Sequence, residues 1–428
     1  MSDISIFMTS DLERKLPPQQ FNLLRNVADV AATLNLPLYL VGGFVRDLIL
    51  GTPAIDFDLV VEGDAIPLAH AVASKYGGRV TAHVRFGTAQ WFRPDPGHHP
   101  LDFVSTRSEI YKHPAALPTV SPGALLDDLR RRDFTINTLA LRLDGQHWGE
   151  LHDELGGLDD LNLGLVRVLH TRSFMDDPTR IFRAVRYEQR YGFNFVSDTL
   201  SLIPPARYLI GSLSAERLRH ELDLILDEEK AADMLPRLEQ LDLLQWVHPA
   251  LAWNARIRRI FKKGSRLPLP GRINVLPSSA DRSFLGWHFW LMDVGLVELE
   301  SLERRLHFRA TLFASLSAAS ALAAELSSLE GLRPSQWVAR LEELPLSAVY
   351  AVYLAATDSK ARQDLYTYLE NWRHVKPKTN GDDLMKRGFP PGPRYRQVLQ
   401  RLRAAWLDEE IHSETEEQQL LDKLTNIV

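Results

Sequence analysis

Two features suited to phosphate chemistry lie close together within residues 38–61. A pair of glycines, Gly42 and Gly43, directly follows an apolar run that is typical of a buried strand, and Asp56 and Asp58 stand in a second predicted strand. Strand residues two apart point to the same face, so we expect the two carboxylates to project side by side. Carboxylates that close repel each other unless a cation lies between them. Mg²⁺, which binds one or two carboxylates together with phosphate oxygens, fits this pattern.

The glycines predict a turn that accepts phosphate. Glycine has no Cβ, so its backbone can approach a phosphate closely. The start of the helix that follows offers free N–H groups and positive potential, and Arg46 in that helix adds a charged fork. Either half alone is weak, because a Gly-Gly pair is commonly only a turn and Asp-x-Asp is commonly a solvated strand end. Together they favour a site for a metal ion and a triphosphate.

Further candidates follow along the chain. Asp102 lies in a predicted strand, residues 101–105, and becomes a third carboxylate if that strand neighbours Asp58; an ordinary strand-end aspartate is the equal alternative. Arg132 and Asp133 follow two other arginines and form an Arg–Asp pair suited to the ribose hydroxyls and phosphate of a nucleotide.

An arginine-rich helix is predicted from Asp177, which caps it, and Pro178, which begins it. Its arginines recur at helical spacing: Arg180, Arg183, Arg186 and Arg190. Four arginines on one stripe repel each other, which predicts an anionic partner such as a triphosphate with an RNA backbone.

Composition excludes several classes of protein. The 428 residues are 45% hydrophobic and 25% charged, as in ordinary globular proteins, and contain no cysteine, which excludes disulfides and thiolate metal sites. We find no signal peptide and no apolar run of membrane-spanning length, so we expect a cytoplasmic protein without a membrane partner. The net charge of −5 means that any nucleic-acid site must be a local basic patch.

The remaining pattern predicts an α+β head followed by helices. We expect a loop at residues 106–125, a helix within residues 127–141, and an almost wholly helical chain from Leu213. Basic residues cluster at Arg256–Arg272 and again at Gly381–Arg396, and both clusters are candidates for RNA contact, with a solvated face as the alternative.

Four motifs occur in one order: LVGGFVRDLILG with DFD, then RRDFTIN, GGLDDL and DDPTRIFRAVRY. They resemble the bacterial (class II) tRNA nucleotidyltransferase and poly(A) polymerase family over roughly residues 20–230, and Gly381–Tyr395 resembles that family's tail. The resemblance implies a head like that of DNA polymerase β, with a mixed sheet and helices, and an all-helical remainder. It places the head at 1–145, a neck with base recognition at 146–245, a body at 246–340 and a tRNA-binding tail at 341–428.

The resemblance also assigns roles to residues. It implies triphosphate contacts from the glycine turn and Arg46, ribose contacts from Arg132 and Asp133, and phosphate contacts from Arg183 and Arg186. It makes Asp56 and Asp58 the ligands of catalytic Mg²⁺. Asp177 and Arg180 match the pair that reads the base. This chain has Asp176 where the family usually has glutamate, which changes the fine shape of the pocket.

A carboxylate beside a guanidinium can select bases without a template. Cytosine and adenine both present an amino donor next to a ring-nitrogen acceptor, which suits Asp177 as acceptor and Arg180 as donor. Uracil and guanine present a carbonyl and an N–H there, so both contacts invert.

The predicted function is two-metal addition of C, A or both to a tRNA 3′ end from CTP and ATP, with release of pyrophosphate. A poly(A) polymerase of the same fold and a catalytically silent RNA-binding protein are the alternatives. The loop at Arg107–Leu125 resembles that of members that add only CC or only A. Because no phosphoesterase domain of the kind often fused to A-adding members is found, CC addition is slightly preferred.

Overall fold

The computed structural model contains two compact units, Met1–Leu213 and Ser214–Val428. Asp56 and the second part of the basic cluster, residues 265–272, lie outside the residues that the structure describes. The described residues are 6–52, 57–95, 99–264, 282–388 and 392–425.

A mixed eight-stranded sheet forms the centre of the first unit, with strand order β1-β10-β9-β2-β3-β6-β5-β4. A hairpin, β7–β8, and a parallel pair, β11–β12, form two smaller sheets. The strands are β1 Ile6–Phe7, β2 Leu38–Val41, β3 Asp58–Val61, β4 Arg79–His83, β5 Thr88–Phe92, β6 Leu101–Ser105, β7 Arg107–Ile110, β8 Thr119–Pro122, β9 Ala140–Arg142, β10 Glu150–His152, β11 Leu165–Val166 and β12 Asn194–Phe195.

Helices cover this sheet because each carries one apolar face. In α2, Leu24, Val27 and Ala31 are buried, and on the sheet Tyr39, Val41, Val60 and Ala140 form one core cluster with Leu125 and Leu129 of α5. The helices of this unit are α1 Thr9–Lys15, α2 Pro18–Thr33, α3 Gly43–Leu50, α4 Ala65–Tyr76, α5 Leu125–Arg130, α6 Gly157–Leu163, α7 Ser173–Asp176, α8 Thr179–Tyr191, α9 Ser197–Ser201 and α10 Ile203–Ala206.

The structure differs from the sequence-based expectation in two segments. Residues 106–125, expected to be a loop, contain the hairpin β7–β8, in which proline stands only at the last strand position, Pro122. Residues 127–141 contain the end of α5, a 3₁₀ turn at Thr135–Asn137 and the start of β9 rather than one long helix. The chain there stays irregular because Asp133 accepts hydrogen bonds from the backbone of Phe134 and the side chain of Asn137, at 2.9 and 2.8 Å.

The large sheet also continues past residue 145, where the head was expected to end. Strand β10 pairs with β9 and with β1, so Glu150–His152 belongs to the head sheet. The segment expected to be a helical neck contains the short pair β11–β12 as well as helices. The remaining domain boundaries stay predictions.

The described residues of the second unit are helical, as expected from Leu213 onward. Ser214 caps the first helix by accepting from the backbone N–H of Arg217 at 3.4 Å. The helices are α11 Ala215–Leu226, α12 Ala231–Gln240, α13 Leu244–Val247, α14 Ala255–Gly264, α15 Arg282–Leu291, α16 Leu296–Leu306, α17 Ala310–Glu325, α18 Pro334–Leu341, α19 Leu346–Ala355, α20 Ser359–Glu370, α21 Gly381–Lys386, α22 Pro393–Leu407 and α23 Glu414–Thr425.

One helical stretch among the described residues, Ala310–Leu329, is long and apolar enough to cross a membrane by length and composition alone, although no such run was expected. It begins with α17, which packs against α15, α16 and α19 and buries Leu316, Ala319 and Leu322. We interpret it as a core helix of this unit, and a cytoplasmic location remains a prediction.

A buried carboxylate, Glu417 of α23, joins three segments of the tail. It accepts hydrogen bonds from the backbone of Lys378 at 3.0 Å, from the backbone and hydroxyl of Thr379 at 2.7 and 2.5 Å, and from the indole of Trp406. Burial alone would raise the pKa of Glu417, but these hydrogen bonds outweigh it and hold the pKa below its usual value.

We expect Glu417→Ala to lower the free energy of unfolding by about 3 kcal/mol, because several buried donors lose their acceptor. Because the pKa of Glu417 is lower in the folded than in the unfolded protein, its carboxylate should contribute to the free energy of unfolding above about pH 4.3. This contribution should decline as the pH falls below that value. Urea denaturation at pH 7 and pH 4 measures both effects. Glu414→Ala, on the same helix and 73% exposed, is the control. Equal stabilities for the two variants at pH 7 would refute the role of Glu417.

Candidate active site

Two carboxylates meet at one end of the central sheet. Strands β3 and β6 are parallel, and their register pairs Asp58 directly with Asp102. Neighbouring strands lie about 4.8 Å apart, so paired side chains project from the same face side by side. Both residues are exposed. The structure thus brings together two of the three predicted carboxylates, and Asp56 lies outside the described residues.

The glycine turn lies at the same end of the sheet. Strand β2 is antiparallel to β3, with Leu40 opposite Leu59, so the chain leaves β2 at Gly42 beside the start of β3. Gly42 has φ +71°, and a Cβ there would lie 2.5 Å from Nη1 of Arg132. Gly43 is the first residue of α3. The backbone conformation at position 42 therefore favours glycine, and the guanidinium of Arg132 occupies the space that a Cβ would take.

Arg46 is enclosed by protein and is only 3% exposed. Its guanidinium donates to Asp47 at 2.9 Å and to Asn137 at 2.5 Å, and it lies 4.9 Å from the ring centres of both Tyr187 and Tyr191. Its predicted contact with a phosphate remains a prediction. In the structure it instead fixes α3 against α8.

Arg132 lies against the glycine turn and is held by the fully buried Asp128. One Nη atom of Arg132 donates to Asp128 at 3.0 Å, and Arg131 donates to the other oxygen of the same carboxylate at 2.6 and 2.9 Å. The buried Nε of Arg132 has no hydrogen-bond partner among the residues that the structure describes. A guanidinium that is positioned but incompletely satisfied is suited to bind an anion at Gly42.

Asp133 is 7% exposed and pairs with Arg183 of α8. Two nitrogens of Arg183 lie 2.7 and 2.6 Å from one carboxylate oxygen. Burial alone would raise the pKa of Asp133, but the ion pair with Arg183 and the hydrogen bond from Asn137 hold it below its usual value. The carboxylate therefore stays charged, and its predicted contact with a ribose remains a prediction.

Asp177 and Arg180 lie at the start of helix α8. The helix begins at Thr179 rather than at Pro178, which was expected to be its first residue, and Asp177 precedes it by two positions. Asp177 accepts from the backbone and the hydroxyl of Thr179, at 3.0 and 2.6 Å. Arg180 is 5% exposed and donates to the hydroxyl of Ser173 at 2.7 Å and to the carbonyl of Arg131 at 2.8 Å. The predicted base-reading pair is thus tied to the same segment that holds Arg132.

Two arginines of the α8 stripe are buried and a third is paired with a carboxylate, and the anionic partner expected from their spacing remains a prediction. Arg180 and Arg186 are buried, at 5% and 6% exposure, and Arg183 is neutralised by Asp133. Arg186 also lies 5.9 Å from the ring centre of Tyr187. Its predicted phosphate contact remains a prediction.

A polar cavity of about 620 Å³ adjoins this arrangement, and several of its residues were not anticipated from the sequence. Glu109 accepts from Arg131 at 3.0 Å and from the hydroxyl of Tyr111 at 3.2 Å. Burial, reinforced by the Glu109 carboxylate, raises the pKa of Tyr111 to about 12, so Tyr111 remains a hydrogen-bond donor. In the sequence RSEIY, Glu109 and Tyr111 stand two positions apart, as residues on one face of a strand do. The segment was interpreted as a loop, so this spacing was not used to predict that the two side chains lie together. The lining also includes Arg130, His170, Arg172 and Arg180.

The chemistry of the donors fits a divalent cation held together with phosphate. Among the described residues no group of three or more His, Asp or Glu side chains could hold a metal ion alone. Asp58 and Asp102 supply two adjacent carboxylates, and Mg²⁺ takes one or two carboxylates plus phosphate oxygens.

Asp153, which follows His152 in the sequence, has a structural role. Its carboxylate accepts hydrogen bonds from the backbone N–H groups of Gly157 and Leu158, at 2.7 and 2.9 Å, and so caps the start of α6.

Known families match most of the first unit and the start of the second. Residues 38–167 match the family described as "Poly A polymerase head domain", and residues 192–254 match "Probable RNA and SrmB- binding site of polymerase A". A CCA-adding enzyme of Thermotoga maritima, solved in complex with tRNA, aligns with a TM-score of 0.78 and 28% identity over 99% of both chains.

Curated relatives extend over the full chain. An A-adding tRNA nucleotidyltransferase of Geobacter sulfurreducens is 34% identical over 97% of this chain, which spans only 48% of that relative's length. The A-adding enzyme of Halalkalibacterium halodurans is 32% identical over 91% of this chain and 88% of its own. The CC-adding enzyme of Deinococcus radiodurans is 36% identical over 54% of this chain and 64% of its own. The chain therefore belongs to the tRNA nucleotidyltransferase and poly(A) polymerase family.

Proposed function

We propose that this protein transfers a nucleotide from a nucleoside triphosphate to the 3′ end of tRNA. The observation that carries the proposal is the register that sets Asp58 beside Asp102, at the sheet end where the chain turns at Gly42. In a chain of this family, that arrangement supplies carboxylates for a metal ion next to backbone N–H groups for a triphosphate.

Asp58, Asp102 and Asp56 would hold Mg²⁺, with phosphate oxygens completing its coordination. When bound, Mg²⁺ lowers the pKa of an attacking hydroxyl and stabilises charge on the departing pyrophosphate. The protein supplies the positioning. Gly42 and Gly43 allow the triphosphate to approach the backbone, and Arg132, fixed by Asp128, neutralises charge that develops on the phosphate oxygens during the reaction.

The base would be read by Asp177 and Arg180. Because Arg180 is held by Ser173 and by the carbonyl of Arg131, its guanidinium keeps one orientation when a base arrives. Asp177, an acceptor, suits the amino group of adenine or cytosine. A held guanidinium beside a carboxylate favours these two bases over uracil and guanine.

Within this activity we propose addition of A. Two relatives that are more than 30% identical and align along more than nine-tenths of the chain are named A-adding. The CC-adding relative aligns along 54%, and the CCA-adding enzyme of Thermotoga maritima, which aligns along 99%, is 28% identical. The Halalkalibacterium relative is A-adding and this chain spans 88% of its length, so a chain of this length is compatible with A addition. CC addition, preferred from the sequence, stays the alternative. Incubating tRNA that ends in CC, or that lacks CCA, with each labelled NTP distinguishes the two.

The first prediction concerns Asp58→Ala, which should lower incorporation by about 10³-fold or more, because loss of a metal ligand removes several kcal/mol of charge stabilisation. The Mg²⁺ concentration needed for half-maximal NTP binding should rise as well. Asp29→Ala, an exposed aspartate on α2, is the matched control. Near-normal turnover by a folded Asp58→Ala protein would contradict the metal assignment, and Asp102→Ala tests the third carboxylate in the same assay.

The second prediction concerns Gly42→Ala. The added Cβ would displace Arg132 from the glycine turn, so the Kd for NTP should rise by about tenfold or more, the loss of one charge-assisted contact. Gly51→Ala is the control, because Gly51 has a similar positive φ, +70°, but open space around its Cβ position. If both variants bind NTP alike, Arg132 does not act at Gly42.

The third prediction concerns Asp177. Asp177→Ala should admit UTP and GTP, because each inverted contact costs about 1–3 kcal/mol and two of them correspond to about 10²–10⁴-fold selectivity. Asp177→Asn retains an oxygen for the cap at Thr179 while removing the charge, so it separates base reading from helix stability. Competition between labelled nucleotides measures the selectivity. Unchanged exclusion of UTP and GTP in both variants would show that Asp177 does not read the base.

A further inference from the structure

A small cavity in the second unit is lined by three arginines. Its volume is about 210 Å³, and its walls are Arg256, Arg259 and Ile260 of α14, residues 354–357 at the end of α19, and Arg362 of α20. None of these residues belongs to the candidate active site, which lies in the first unit.

The amphipathic pattern of α14 explains why cations gather here. The apolar residues Ile257, Ile260 and Phe261 are buried at 3–5% exposure, and the helix packs with them against α15 and α19. The opposite face is cationic, since the helix sequence ARIRRIFKKG contains five basic residues and no acid. Arg258 and Arg259 are exposed on that face. Packing of the apolar stripe therefore fixes a row of positive charge beside the cavity.

Protein carboxylates neutralise only part of this charge. Arg256 forms an ion pair with Asp293. Within the described part of the chain, no carboxylate lies within ion-pair distance of Arg259 or Arg362. Arg362 instead lies 5.1 Å from the ring centre of Tyr353. Two cations without a protein counter-charge at one cavity favour a bound anion.

The dipoles of the neighbouring helices do not account for all three arginines. The cavity contains the end of α19, where free carbonyl groups favour a nearby cation by about 0.3–1 kcal/mol. Arg362, however, lies in the first turn of α20, where the helix dipole disfavours a cation. The helix dipole therefore does not explain why Arg362 lies at the cavity.

The surroundings indicate RNA as the source of the anion. Tyr353 lies under Arg362, and the ring of Tyr366, 40% exposed, follows at 5.9 Å. An arginine that lies over an aromatic ring beside further cations is typical of surfaces that bind nucleic acid. Arg258, which is exposed next to Arg259 on the same helix, adds further positive charge outside the cavity.

We propose that this arginine cavity binds a backbone phosphate of the RNA substrate. The identity of the RNA rests on the proposed function, whereas the site itself rests on the cavity and its charges. Arg259 and Arg362 would contact the phosphate, and Tyr353 would orient the guanidinium of Arg362. Contacts of this kind add affinity that is independent of base sequence and sensitive to salt.

The test is tRNA binding by the full chain carrying Arg259→Gln and Arg362→Gln. Fluorescence anisotropy measures the affinity between about 50 and 300 mM salt, the range over which phosphate contacts weaken. We expect about a tenfold loss of affinity and a slope of log K against log salt that is smaller by about one. Arg259→Lys with Arg362→Lys should retain most of the slope, because it keeps the charge. Arg304→Gln, an exposed arginine of α16 outside the cavity lining, should behave as wild type.

The outcomes separate the cavity from the proposed function. If wild type incorporates nucleotides and binds tRNA but the double glutamine variant has the same affinity and slope, the cavity assignment is overturned and the function stands. If wild type binds tRNA through the cavity but incorporates no nucleotide, the function fails and the cavity assignment stands. If wild type binds no tRNA, both are overturned. NTP binding, unchanged in every variant, confirms that the first unit is intact.

Discussion

Two buried carboxylates, Asp128 and Asp133, determine where the arginines of the candidate site can be. A buried carboxylate without a partner is costly, so each one requires cations in a defined geometry. Asp128 holds Arg131 and Arg132, and Asp133 holds Arg183. The carbonyl of Arg131 then accepts from Arg180. One short segment therefore orients the arginine at the glycine turn and the arginine at the start of α8.

The sheet supplies the second constraint, and it acts on the carboxylates that remain exposed. The parallel pair continues from Asp58 and Asp102 into residues that are buried, Leu59 and Val60 on β3 and Phe103 on β6, so core packing holds the two strands together directly beside the carboxylates. The pairing of Asp58 with Asp102 is thus a consequence of core packing. Two like charges are thereby brought side by side at this end of the sheet, an arrangement that a metal ion bound together with phosphate can use.

The sequence predicted what local pattern determines. The strand expected at residues 101–105 is β6, and the apolar run before Gly42 forms strand β2. What it could not supply was pairing through space. The α8 arginines share a stripe on any helical wheel, but only the fold shows that Asp133, fifty positions earlier, neutralises Arg183. Arg46 looked like a free phosphate ligand, because nothing local indicates that Tyr187 and Tyr191 enclose it. The hairpin β7–β8 was missed because Pro114, Pro118 and Pro122 favour a loop in residues 106–125.

The two units use arginine in physically different ways, and the difference matches what each would bind. In the first unit, Arg46, Arg180 and Arg186 are at least 94% buried. Burial lowers the effective dielectric around them, so small displacements change their energies strongly, which suits discrimination between bases that differ by one donor or acceptor. In the second unit, Arg258 and Arg259 are exposed on α14, where water and salt screen them. Screened charges discriminate poorly but add attraction over a long polyanion. Selecting a nucleotide therefore favours buried arginines, whereas holding an RNA favours exposed ones. The first unit has arginines of the buried kind, and the second unit has arginines of the exposed kind.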